Sequence, residues 1–221
     1  MPSYSGVWTL TAQYQAKGAG NWPIQPPVIG QAFGGGFFAG YISTAGNGVA
    51  DYYLVIAPKA SGQAGGVLDW KTTATSTTGT DSVIDGPTNS ANMNNASHPA
   101  AEFCEGLTIG GFSDWYMPAK NELEVCYYNL KPTTTSNNTS SGTNTNAVPS
   151  RGSNYTSGTP AQTSVSAFQD GGAEAFNASN YWTSTQASST NAWIAGFGDG
   201  EQATSGKTSG FRVRAVRRVP V

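Results

Sequence analysis

The sequence predicts an α+β fold in which two helices flank a small, twisted, mostly antiparallel sheet. Apolar residues recur at helical spacing in the stretches 99–107 and 119–130, and each stretch ends at a helix breaker. Short apolar–polar alternation, which is typical of strands, marks the stretches 181–185, 192–197 and 211–219. A chain of 221 residues is long enough for one large domain, or for one domain with a small N-terminal module.

The first 50 residues are predicted to form an N-terminal arm, followed by a main domain over residues 51–221. Tryptophan, proline and glycine are frequent in this part of the chain, and breakers such as Pro26-Pro27 and Gly34-Gly35-Gly36 interrupt regular structure. Two interpretations remain open. The segment is either an arm for attachment or oligomerisation, or a cover over the main domain.

A hairpin is predicted around Asn47-Gly48. The apolar runs 37–43 and 51–57 lie on either side of this dipeptide, and Asn-Gly between apolar runs is a common hairpin turn. A further short strand is predicted over residues 67–71. After it, Asp85-Gly86-Pro87 indicates a turn.

The first helix is predicted from Pro99 to Leu107. Proline suits the first turn of a helix, Ser97 or His98 precedes it as a candidate cap, and Gly110-Gly111 ends the pattern. The apolar face consists of Ala100, Phe103, Cys104 and Leu107. His98 is interpreted as a cap or surface residue, because no nucleophile motif accompanies it.

The second helix is predicted to end before Lys131-Pro132. Its apolar stripe consists of Ala119, Leu123, Cys126, Tyr127 and Leu130. Asp114 or Glu122 is expected to form a structural ion pair with a C-terminal arginine. Cys104 and Cys126 both lie on apolar helix faces, which favours two buried thiols, although a disulfide between packed helices remains open.

A polar stretch follows the second helix, from residue 133 to 163. It is rich in Thr, Ser, Asn and Gly and is too long for a simple connection. It is either an ordered excursion across the surface or a flexible loop.

The C-terminal third is predicted to form a strand, a loop and a strand. In the run 192–197, Trp193, Ala195 and Phe197 share one face, which we predict points inward. Ile194 and Gly196 would then point outward. Residues 198–207 carry almost no apolar bulk and are predicted to form an exposed loop.

The composition argues against several functions. The chain has one histidine and no Cys-x-x-Cys pair, so neither a catalytic triad nor a metal centre can be assembled, and no enzyme activity, metal or cofactor is predicted. Charged residues make up 11%, and the net charge is −2, which argues against nucleic acid as a partner. No apolar run is long enough for insertion into a membrane.

Two sequence blocks carry a resemblance to a known family. The first is Gly110-Gly-Phe-Ser-Asp-Trp-Tyr-Met-Pro, followed by Glu122-Leu123. The second runs from Tyr181-Trp-x-Ser-Thr through Ala192-Trp193 to Val213-Arg-Ala-Val-Arg. Together they resemble the C-type-lectin-like family that includes bacterial Lcl-type C-terminal domains and phage proteins diversified by retroelements. The resemblance implies a C-type-lectin-like fold over roughly residues 50–219.

The resemblance also implies which residues contact a ligand. In the diversified phage relatives, the framework residues stay constant, while the exposed positions between them vary. Carried over position by position, the framework includes Trp182, Trp193 and Lys207. The implied ligand-binding positions are Gln186, Ile194, Gly196, Asp199, Glu201, Ala203, Thr204, Ser205, Thr208 and Ser209. The calcium-binding signatures of sugar-binding lectins are missing from the sequence, so calcium-dependent sugar binding does not carry over.

The function that this resemblance implies is ligand recognition by a phage virion protein. The chain would act as a tail-fibre tip or receptor-binding adhesin, with a protein or glycan receptor on the host cell as its partner. It would be made in the host cytoplasm and then reside in the virion, beside other virion proteins, as a homotrimer or bound to a fibre. The alternative is a structural or decoration protein of the virion with no receptor role.

Overall fold

The computed structural model describes residues 26–221 as a mixture of short helices and antiparallel strands, which is an α+β fold. The strands are β1 (Ala32–Phe33), β2 (Gly36–Ile42), β3 (Tyr52–Ile56), β4 (Leu68–Asp69), β5 (Ala147–Val148), β6 (Asn180–Gln186), β7 (Asn191–Gly196), β8 (Gln202–Gly206), β9 (Gly210–Phe211) and β10 (Val216–Pro220). The helices are α1 (Lys59–Gly62), α2 (Gly86–Ala91), α3 (Pro99–Glu105) and α4 (Lys120–Leu130), with a 3₁₀ turn at Ser166–Phe168.

The strands form three antiparallel sheets. The largest has the order β1-β2-β3-β10, and β5 pairs with β2 beside this path. Strands β6, β7 and β8 form a second sheet in sequence order, and β4 pairs with β9. Pairing of β10 with β3 over five residue positions joins the C-terminal end of the described chain to its first strands.

The two predicted helices are confirmed as α3 and α4. Helix α3 begins at Pro99 as expected and ends two residues before the predicted end at Leu107. Helix α4 ends at Leu130, ahead of the Lys131-Pro132 break. The predicted turn at Asp85-Gly86-Pro87 instead starts helix α2, because the Asp85 carboxylate accepts a hydrogen bond from the Thr88 amide and caps it.

The predicted hairpin around Asn47-Gly48 is also confirmed, as strands β2 and β3. Its position bears on the predicted arm, because the proposed boundary at residue 50 falls in the turn between these paired strands. Strands β1 and β2, which lie in the predicted arm, therefore belong to the same sheet as β3 and β10 of the main domain. Residues 1–25 lie outside the described residues.

Two hydrophobic clusters fill the interior. One includes Leu123 and Tyr127 of α4, and the other includes Cys104 of α3 and Trp70. Strand β7 contributes to both, because Ala195 belongs to the first cluster and Ile194 to the second. The sheet that contains β7 therefore lies between two packed layers.

Two ion pairs connect the C-terminal segment to the rest of the fold. Arg217 Nε donates to Asp114 Oδ1 at 2.7 Å, and Arg218 Nε donates to Glu122 Oε1 at 2.8 Å. The predicted structural ion pair is confirmed for both carboxylates. Hydrogen bonds from Arg217 lower the pKa of Asp114, whereas burial raises the pKa of Glu122 despite its arginine partner.

Candidate functional site

The candidate site is built on the β7–β8 hairpin. Its turn is anchored from outside, since Asn138 N donates to Asp199 O at 2.8 Å and Thr133 Oγ1 donates to Gly198 O at 2.8 Å. Gly200 has a φ of +80°, and a Cβ there would lie 2.3 Å from the Tyr127 ring. Glycine is therefore required where the turn passes over the aromatic core.

The prediction of an exposed loop over residues 198–207 is wrong. Only the first part of this stretch is a turn, and residues 202–206 form strand β8, which pairs with β7 along its whole length. Ala203 and Gly206 have low strand propensity, but the hydrogen bonds to β7 and the fixed turn override this preference.

The predicted orientation of β7 is confirmed only for Ala195 and Phe197, which are buried as expected. Ile194 is only 5% exposed and Gly196 is buried, whereas Trp193 is partly exposed. Alternation predicts an inner and an outer face only when one face of the strand meets solvent. Here both faces of β7 meet packed layers, so the pattern could not identify the exposed side.

The ten predicted contact positions therefore divide into three groups. Those exposed are Glu201, Thr204 and Thr208; those partly exposed are Gln186, Asp199, Ala203, Ser205 and Ser209; those buried are Ile194 and Gly196. Gln186 is engaged in the framework, because its Oε1 accepts hydrogen bonds from Thr77 N and Lys207 Nζ. The two buried positions are unable to contact a ligand without a change in the fold.

A patch around Trp193 was missed at the level of sequence. Lys120 Nζ lies 4.3 Å from the centroid of the Trp193 ring, within the range of a cation–π contact. Thr204 lies directly opposite Trp193 across the β7–β8 pair, so the two side chains share one face. We call Lys120, Trp193 and Thr204 the Trp193 patch. Only Thr204 was predicted, because Lys120 comes from the distant helix α4 and Trp193 was assigned to the core.

Lys207 holds the base of the hairpin. Its ammonium group is buried and donates to Thr75 O at 2.9 Å and to Ser189 O at 3.0 Å. It also lies 4.6 Å from the centroid of the Trp70 ring. Burial, with a smaller effect from the charge of Lys71, lowers the pKa of Lys207 to about 8. Lys207 is therefore a framework residue in this structure, as the resemblance implies.

The polar stretch after α4 is ordered. Asn137 makes several of the hydrogen bonds that order it. Asn137 Oδ1 accepts from Tyr127 OH at 2.6 Å and from Lys131 Nζ at 2.7 Å. Its Nδ2 donates to Pro160 O at 2.8 Å. Gln202 N of β8 donates to Ser141 Oγ at 2.9 Å, so the stretch also packs against the hairpin. Of the two alternatives, the structure shows the ordered excursion.

The two cysteine side chains lie in the interior. Cys104 and Cys126 are both buried free thiols, and burial raises the pKa of each. Within residues 26–221, no group of three or more His, Cys, Asp or Glu side chains is placed to hold a metal ion. No helix in that range combines the length and apolar content that a membrane span requires.

His98 occupies the N-cap position of α3, as predicted, but its side chain makes no capping hydrogen bond and is buried rather than at the surface. Its ring is 5% exposed and is held between Thr77 Oγ1 and Asn95 Oδ1, each at 2.9 Å. Burial first, and the charges of Lys71 and Lys207 second, lower the pKa of His98 to about 4.

We expect His98 to make stability depend on pH below neutrality. Its folded pKa lies below the ordinary value of 6.5, so the unfolded chain takes up the proton first as pH falls. Its contribution is complete above pH 6.5 and is lost between about pH 6.5 and 4. Urea unfolding at several pH values should therefore show a steeper loss for the wild type than for His98→Gln. Equal slopes for the two proteins would contradict the lowered pKa.

Comparison with known families matches residues 64–217 to the model of the Lcl C-terminal domain, which is more than half of the chain. This chain belongs to the Lcl C-terminal domain family. The matched segment contains α2, α3 and α4, the Trp193 patch and the ordered polar stretch, and it ends within β10. A search of curated proteins gives no match.

Proposed function

We propose that this chain is a ligand-recognition protein of a phage particle, acting as a tail-fibre tip or receptor-binding adhesin. Its partner is a receptor on the host cell surface, bound through the exposed side of the β7–β8 hairpin on a C-type-lectin-like fold. Membership of the Lcl C-terminal domain family supports a recognition role. Residues 1–50 are the proposed region of attachment to a fibre or to further copies of the chain.

The observation that carries this proposal is the Trp193 patch. Tryptophan is a frequent anchor in recognition surfaces, because a large ring can be desolvated at a low entropy cost. Lys120 adds a cation beside it, and Thr204 and Glu201 add exposed polar groups on the same hairpin. A surface with one aromatic anchor and mostly small neighbours favours weak contacts, which repeated copies on a particle strengthen through avidity.

The frame beneath the patch is suited to this role. Thr183 Oγ1 donates to Trp193 O at 3.0 Å, and Lys120 N donates to Thr185 Oγ1 at 3.0 Å. The backbone at Trp193 and Lys120 is therefore held by β6. A ligand contacting these side chains meets a preformed surface, which lowers the ordering cost of binding.

The test is Thr204→Arg, which places a bulky charge opposite Trp193 and next to Lys120. Thr204 is exposed, so the free energy of unfolding should change by no more than about 0.5 kcal/mol. Adsorption of particles carrying this variant to host cells should fall at least tenfold. The matched control is Thr108→Arg, an exposed threonine after α3 on the segment that packs against Gly35 rather than the hairpin.

If Thr204→Arg particles adsorb as well as the Thr108→Arg control, the hairpin is not the receptor-binding face. A structural or decoration role in the virion would then be favoured. A particle structure in which another virion protein covers the Trp193 patch would have the same consequence.

A further inference from the structure

The loop between β2 and β3 contains Asn47-Gly48, the only place in the sequence where glycine follows asparagine. Both residues are exposed. Glycine has no Cβ to shield its backbone nitrogen. A Cβ built at Gly48 would meet no atom within 4 Å, so the space around this residue is open. Solvent can therefore reach the Gly48 amide and the side-chain amide of Asn47 together.

The Gly48 amide is free to act as a nucleophile once it loses its proton. Within residues 26–221 it donates to no acceptor, whereas the amides on either side of it are engaged. Asn47 N donates to Ser43 Oγ at 3.4 Å, and Val49 N donates to Asn47 Oδ1 at 3.0 Å. Attack of Gly48 N on Asn47 Cγ closes a five-membered ring within the chain, and such intramolecular steps are favoured by proximity.

Two donors polarise the carbonyl group that this attack requires. Asn47 Oδ1 accepts from Ser43 Oγ at 2.9 Å as well as from the Val49 amide. Attack on Cγ moves negative charge onto Oδ1, and donors that already point at this oxygen stabilise the charge. Ser43 is buried, and its own amide donates to Asn146 O at 2.8 Å. The donor that faces Asn47 is therefore held in place by the fold.

We propose that Asn47 is a site of spontaneous deamidation in the folded protein. Gly48 N gives its proton to solvent and forms a bond to Asn47 Cγ. The Cγ–Nδ2 bond breaks, the leaving nitrogen takes up a proton from solvent, and ammonia departs, which leaves a succinimide. Water then opens this ring at either of its carbonyl groups and produces aspartate or isoaspartate at position 47. Water is the only co-reactant, and no group is oxidised or reduced.

Deamidation adds a negative charge to a loop that already holds a carboxylate. Asp51 Oδ2 accepts from Thr44 N and from Thr44 Oγ1, each at 2.6 Å, in the same loop. One further negative charge changes the net charge of the chain from −2 to −3. The loop lies within residues 1–50, so an effect of this charge on attachment rests on the proposed function. The reaction itself is a property of the folded chain.

The test is peptide mapping by mass spectrometry of the full chain, freshly purified and after incubation in mildly alkaline, non-denaturing buffer. The peptide that contains Asn47 should gain the mass difference between an amide and an acid and separate into aspartate and isoaspartate forms. Asn154 is the control within the same molecule. It is exposed, and its Oδ1 accepts from Thr143 Oγ1 at 2.8 Å, but the next residue is Tyr155 rather than glycine. Asn154 should convert at least tenfold more slowly than Asn47.

Asn47→Gln provides the matched variant, because attack on the longer side chain would have to close a larger ring. Ion-exchange chromatography should show an acidic form that accumulates with time in the wild type and is at least tenfold less abundant in the variant. An unchanged mass at Asn47, equal conversion at Asn154, or equal accumulation of the acidic form in Asn47→Gln would overturn the proposal. The outcome is separable from that of the adsorption test. Deamidation of the isolated chain together with normal adsorption of Thr204→Arg particles would remove the hairpin proposal and leave this one in place.

Discussion

Trp182→Ala is expected to destabilise the protein by about 3–5 kcal/mol, the usual cost of deleting a large buried aromatic side chain. Trp182 is fully buried, its Nε1 donates to Leu68 O at 2.9 Å, and its ring packs edge-on against Phe211 at 4.9 Å between centroids. Urea unfolding of the purified variant measures the change. The substitution removes the packing against Phe211 of β9 and leaves the carbonyl of Leu68 in β4 without its donor. The pairing of β4 with β9 should therefore weaken as well.

Trp193→Ala is the matched control for this experiment. The residue type is the same and the strand is adjacent, but Trp193 is partly exposed, so the loss should be about 1–2 kcal/mol. Host adsorption should respond in the opposite order, with Trp193→Ala the more damaging variant if both are folded. If Trp193→Ala proves as destabilising as Trp182→Ala, the placement of Trp193 at the surface is wrong.

Arg214→Ala is expected to cost about 3–5 kcal/mol, as is usual when one partner of a buried ion pair is removed. The Arg214 side chain is buried, with Nε donating to Ala57 O at 2.8 Å and Nη2 to Glu174 Oε2 at 2.7 Å. Its guanidinium also lies 4.9 Å from the centroid of the Phe176 ring. The variant would remove the Arg214 donor from the Ala57 and Glu174 carbonyls and from the Glu174 carboxylate, which would keep its hydrogen bond from the Lys59 amide.

Arg212→Ala is the control for Arg214. Arg212 is partly exposed and lies two residues earlier in the same segment, so its removal should change the free energy of unfolding by about 0.5 kcal/mol or less. Thermal or urea unfolding of Arg214→Ala and Arg212→Ala measures the free energy of unfolding of each variant. The comparison shows whether a loss of stability comes from the buried Arg214 contacts or from removing a positive charge near the C-terminus. Equal, small effects would show that the Arg214 contacts contribute little to stability.

Several elements could be predicted from sequence because their signals are local. The β2–β3 hairpin follows from Asn47-Gly48 between apolar runs, and α3 follows from Pro99 and its apolar spacing. An ion pair of Asp114 or Glu122 with a C-terminal arginine was also predicted, and both carboxylates form one. Strand β8 was missed, because its small polar residues carry no strand signal of their own.

The candidate site was predicted only in part. Thr204 and Glu201 are exposed as predicted, although Thr204 lies in strand β8 rather than in a loop, whereas Ile194 was expected to face outward and is buried.

The sequence by itself determined the α+β class, the two main helices, the β2–β3 hairpin and the family. Each of these depends on spacing, on turn residues or on motifs that are contiguous in the chain. Only the tertiary structure decided which side of β7 meets solvent and which distant residues share a surface. Ile194 and Ala195 lie on opposite faces of β7 and are both buried, so the period of two does not identify the side that is partly exposed at Trp193. Trp193 is partly exposed because of the way α4 and the polar stretch cover the sheet. This arrangement of distant segments cannot be predicted from a local sequence pattern.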